Sequence, residues 1–228
     1  MANRPDRRTV VIVAAALGLA AALGYWGYGS HKKREYDKNV LALVADSSTR
    51  LRDGLNIETA PPTADRPSFI KRLDEHALTV DRNIRTLKSH GSSTHAALAD
   101  AADDYMVMSR EILKRQAESR RLRLALNESA QMLGDHMRRD NRTGSWVQDA
   151  VKAKERVNKE YRDYQLATEA LDKLLGSFTA SQAKILPYVD PKLAIADSFV
   201  GEARRQARED ARLTATQFEK LQQLAASR

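Results

Sequence analysis

Ser92–Asn141 reads SSTHAALADAADDYMVMSREILKRQAESRRLRLALNESAQMLGDHMRRDN, and Gly134 is its only glycine in a run without proline. Leu98, Tyr105, Ile112, Ser119, Leu126 and Leu133 recur every seven residues. A seven-residue step returns a side chain to the same helix face after two turns. The stretch therefore predicts a single helix over 93–141, roughly 70 Å long if unbroken. Its middle, Lys114–Arg123, is strongly basic and interrupts the apolar stripe. We read that run as a solvated face with pairs one turn apart, such as Glu111 with Arg115.

On the C-terminal side, Asn141–Ser145 (NRTGS) reads as a tight turn that sends the chain back. The return helix is expected over 145–186, with paired core positions Val147/Ala150, Tyr161/Tyr164, Thr168/Leu171, Leu175/Phe178 and Gln182/Ile185. Pro187 and Pro191 break it, and Pro191 suits the first turn of a last helix over 191–226. That last helix presents Ala196, Val200, Ala203, Ala207, Phe218 and Leu221 as its inward stripe.

On the N-terminal side, Ile70, Leu73, Ala77, Val80, Ile84 and Leu87 alternate steps of three and four, the cleanest seam in the chain. They predict a helix over 67–89, closed by Gly91 as a left-handed cap. An earlier helix over 33–55 carries Val40, Val44, Leu51 and Leu55, and the proline-rich segment 60–67 separates the two. Short connections favour antiparallel neighbours, so the fold class is an all-α antiparallel bundle with a long coiled-coil-like hairpin.

Thr9–Tyr28 (TVVIVAAALGLAAALGYWGY) is twenty residues without a charge. At about 1.5 Å per residue it matches the roughly 30 Å hydrocarbon layer of a bilayer. Tyr25, Trp26 and Tyr28 then suit the head-group layer, and Lys32, Lys33 and Arg34 return the chain to water. The organisation expected is a basic tail over 1–8, a single transmembrane helix over 9–29 and a helical bundle over 30–228. A cleaved signal peptide is the rival reading, with Ala20–Ala22 as its cleavage site. The aromatics that prolong the apolar run beyond that site favour the anchor. Ala14, Gly18 and Ala22 lie four apart, a spacing of small residues that lets two spans pack closely and so allows a homo-oligomer.

Lysine and arginine counts on the two flanks nearly balance, so orientation follows from the short tail before the span. It places the tail in the cytoplasm and the bundle outside the inner (plasma) membrane. The chain has no cysteine, which removes disulfides and thiolate chemistry, and its net charge of +8 favours anionic partners. No P-loop, G-x-G-x-x-G, G-x-S-x-G or H-E-x-x-H motif occurs. His76, His90 and His95 match no metal-ligand spacing, so no enzyme, metal or cofactor is expected. The basic run has no stacking aromatics, which disfavours nucleic acid.

Arg138, Arg139 and Arg142, next to Trp146, crown the hairpin turn and are the candidate contact for a partner protein. The function expected is an extracytoplasmic scaffold or adaptor, bound to the lipid bilayer and to other membrane or envelope proteins. The alternatives are a sensory or ligand-binding bundle signalling through a partner, and a secreted helical protein that binds anionic partners.

Overall fold

The structure is a computed structural model that describes residues 7–56, 66–90, 95–138 and 144–226; side chains are described for 31–55, 68–90, 95–138 and 144–223. Five α-helices follow in order: α1 (Arg7–Asn56), α2 (Arg66–His90), α3 (Ala96–Arg138), α4 (Trp146–Ile185) and α5 (Asp197–Ala226), with a 3₁₀ turn at Pro191–Leu193 before the last. No strand occurs among the described residues, so the all-α bundle is the fold. Successive helices run up and down, and α3 packs on all four others.

The seam of α2 is buried at all six expected positions, from Ile70 to Leu87. It faces Val40, Val44, Leu51 and Leu55 of α1 and Leu98, Ala102, Tyr105, Ile112 and Leu113 of α3 in one continuous core. Burying an aliphatic side chain of this size contributes about 1.5–3 kcal/mol, so the seam is the main force holding α2 in place. A second core lies towards the hairpin turn, where Leu126, Leu133 and Met137 of α3 meet Val157 and Tyr164 of α4. Phe218 and Leu221 of α5 cover that second core.

Four expectations need revision. The helix expected over 33–55 and the apolar stretch before it form a single helix of 50 residues, about 75 Å long. Gly27, Gly29 and Ser30 do not interrupt it: a glycine costs a helix only about 1 kcal/mol relative to alanine, and good helix formers flank these on both sides. The last helix begins at Asp197 and not at Pro191. Ala196 is exposed and Ile195 is buried in its place. Val147 is 63% exposed because Trp146, one residue and about 100° away, takes the inward position. Gly91 and the segment 139–143 lie outside the described residues.

α1 stops where its neighbours require it to. Gly54 is buried so closely that a Cβ there would lie 2.3 Å from Leu113 Cδ2. The last carbonyls of a helix have no partner within it, and Gln116 Nε2 of α3 donates to Gly54 O at 3.2 Å. A side chain from the third helix thereby caps the first.

Candidate functional site

At its base the bundle is tied to the helix that carries the apolar stretch. His95, at the start of α3, donates from Nδ1 to Asp37 Oδ1 of α1 at 2.9 Å. Its ring meets Tyr188 edge-on at 5.6 Å, which brings the α4–α5 connection to the same place. Tyr36 is buried beside this pair, and burial, followed by the charges of Asp37 and Asp100, raises its pKa. Lys32, Lys33 and Arg34 are exposed just below, a basic collar on α1. Of the residues expected in or beside a membrane, Ala14, Gly18, Ala22, Tyr25, Trp26 and Tyr28 have side chains outside those described. Among the residues whose side chains are described, no helix is long and apolar enough to cross a membrane.

The connection itself is pinned from two sides. Gln182 Nε2 donates to Ile195 O at 2.9 Å, and Ile195 N–H donates to Gln182 Oε1 at 2.8 Å. Ser48 Oγ donates to Leu193 O at 2.5 Å, and Arg52 Nη2 reaches the carbonyls of Lys192 and Ala194 at 3.2 and 3.3 Å. α1 thus holds both its own base contacts and the root of α5.

At the far end, two of the four candidate contact residues, Arg138 and Trp146, are among those described. Arg138 is exposed at the end of α3, 3.6 Å from Asp135, while Arg139 and Arg142 lie outside the described residues. Trp146 packs beneath the turn. Its ring stacks on His136 at 5.2 Å, its Nε1 donates to His136 O at 3.2 Å, and His136 Nε2 donates to Trp146 O at 3.0 Å. Trp146 therefore closes the hairpin and does not present a free face. The exposed apolar residues near this end are Met132, Val147 and Val151.

The basic run of α3 corrects our reading of it as a solvated face. Arg110 reaches Asp81 of α2 at 2.9 Å, Arg121 bonds Asp74 of α2, and Arg123 reaches Asp210 of α5 at 2.5 Å. Hydrogen bonds from Arg110 and then Arg85 lower the pKa of Asp81. Glu111 pairs with Arg110, and Arg115 with Glu118. The sequence signal for these crossings was Asp74 and Asp81, seven apart on the flank of the α2 seam. The bridges also show why a helix so charged can sit at the centre of the bundle.

Between the two apolar cores lies a polar layer. A cavity of about 20 Å³, room for roughly one water, is lined by Gln116, Ser119, Arg123, Thr168, Ala207 and Asp210 among others. Gln116 is 1% exposed, and its Oε1 has no hydrogen-bond partner. Ser119 and Thr168 hydroxyls are 3.3 Å apart across α3 and α4. On the outer side, Asp172 of α4 receives Arg204 at 3.0 and 3.2 Å and Arg208 at 3.0 and 2.9 Å. Those hydrogen bonds lower its pKa to about 2.

His76 and His90 do not join His95 around a metal, and among the described residues no three histidine or acidic side chains do. Burial and then Arg50 lower the pKa of His76. Compared with known protein families, curated proteins and solved structures, the chain matches none.

Proposed function

We propose that the protein is a single-pass inner-membrane scaffold whose helical bundle stands outside the cytoplasm and acts through protein contacts. The observation that carries this reading is the continuity of α1. The apolar stretch 9–28 and the core stripe Val40, Val44, Leu51 and Leu55 belong to one helix. A helix fixed in a bilayer over the first segment fixes the direction of the bundle packed on the second. The collar Lys32, Lys33 and Arg34 suits phospholipid head groups at the point where the helix leaves them.

The mechanism is positional. His95, Asp37 and Tyr188 tie the bundle base to α1, and the α3–α4 hairpin then carries its free end away from the bilayer. Arg138 with exposed Val147 and Val151 is the surface offered to a partner protein there. The small residues Ala14, Gly18 and Ala22 provide the face for a second span.

The test is a phosphatase reporter, active only outside the cytoplasm, fused after Arg228. Activity in the membrane fraction that disappears when 9–28 is deleted, with the intact mass retained, supports the anchor. A reporter silent in the full chain, or an active product shortened at Ala22, overturns it.

A further inference from the structure

α5 is held by small buried side chains, by charged pairs and by a partly polar seat. Its buried side chains, among those described, are small: Val200, Ala203, Ala207 and Thr214. Charged pairs carry much of the remaining contact. Arg204 and Arg208 share Asp172 of α4, while Asp210 reaches Arg123 at 2.5 Å and Arg120 at 3.9 Å on α3. Beneath Ala207 the seat is mixed: Gln116, Ser119 and Thr168 form a polar layer beside apolar Leu171 and Tyr164. Nearer the hairpin turn, Phe218 stacks on Tyr161 at 3.9 Å and Gln222 bonds Asn158 at 2.5 Å.

α5 also carries helix-stabilising pairs of its own. Glu202 with Arg205 and Glu209 with Arg212 are spaced three apart on its outer face, independent of the seat. Its root is fixed separately, by Gln182 on Ile195 and by Ser48 and Arg52 on the residues before it. The hinge available is therefore the short step from Ile195 to Asp197.

We propose that α5 is a salt-latched arm, which swings off the α3–α4 face and frays once undocked, freeing its amides, while α1 to α4 stay packed. Mobile ions screen the partly exposed pairs of α5 within a few ångströms at high salt. The same ions do not weaken an apolar seam such as that of α2. Opening exposes the polar layer, whose Gln116, Ser119 and Thr168 can hydrogen-bond water, and lifts Phe218 and Leu221 off the second core, an apolar contact that salt does not screen. The arm does not depend on the membrane reading.

Amide hydrogen exchange on the full chain in zwitterionic detergent tests this, at about 0.05 M and about 0.5 M NaCl. The expected result is exchange in 200–220 at least about tenfold faster at high salt, with 70–87 unchanged. Asp172→Asn is expected to bring the same acceleration at low salt. Equal protection of α5 and α2 at both salts, a parallel loss in both, or a folded Asp172→Asn protein with α5 fully protected, each overturns the proposal. If Asp172→Asn does not fold, the salt series on the native sequence decides.

Discussion

α2 is laid along α3 and α5 chiefly along α4, and different forces hold them. α2 inserts Ile70, Leu73, Val80, Ile84 and Leu87 into a dry core shared with α1. α5 buries alanine, valine and threonine, lays Phe218 and Leu221 over the second core, and adds guanidinium–carboxylate pairs at Asp172 and Asp210. The difference teaches where this bundle is rigid and where it responds to its surroundings. Apolar area removed from water acts without regard to ionic strength screening, whereas half-exposed ion pairs contribute little each and weaken with salt.

The largest test of this contrast is Leu73→Ala. Leu73 is fully buried and lies near both Gly54 and Leu113, so the cavity left behind cannot readily collapse. The expected loss is about 2–5 kcal/mol in urea unfolding, insensitive to salt. A loss below that of the α5 pairs would break the comparison.

Asp172→Ala comes next, with an expected loss of about 1–2 kcal/mol after allowing for solvent screening. That loss should shrink as salt is added. The same carboxylate sets a pH dependence. Its folded pKa of about 2 lies below the ordinary value of 3.8, so its contribution is complete above about 4 and is lost as pH falls through about 2. A thermal-melt series from pH 5 to about pH 2 should therefore show native protein losing stability that Asp172→Ala has already lost. Parallel curves for the two proteins would remove the latch from the account.

The smallest effect is expected at Glu209→Ala. Glu209 pairs with Arg212 on the outer face of α5 and touches no other helix through that pair. No resolvable change in the unfolding midpoint is predicted by denaturant titration. A measurable loss would mean that helix formation in α5, and not its docking, limits its stability.

Much of the architecture was legible because it repeats. The six seam residues of α2 and Leu98, Tyr105, Ile112, Leu126 and Leu133 of α3 are all buried as their spacing predicted. Ser119, the polar member of that α3 series, is only half-buried and belongs to the polar layer. The candidate contact surface was less legible. Beside the arginines in sequence, Trp146 can either join them as a contact face or pack under the turn, and two hydrogen bonds with His136 turn it inward. Arg121 and Arg123 looked like solvent charges, since nothing local reveals that Asp74 and Asp210 come to meet them from other helices.

The sequence by itself determined the helices, their apolar faces and most of their ends, because periodicity, proline and turn residues act on neighbours along the chain. Tertiary structure alone decided where α5 begins and what holds it. Gln182 binds both the N–H and the carbonyl of Ile195, which keeps that residue out of a helix that Pro191 could otherwise have started. It also decided which arginine meets which aspartate. Those pairings join residues up to 87 positions apart, as Arg123 and Asp210 are. Only packing brings such groups within reach, so no local pattern can record them.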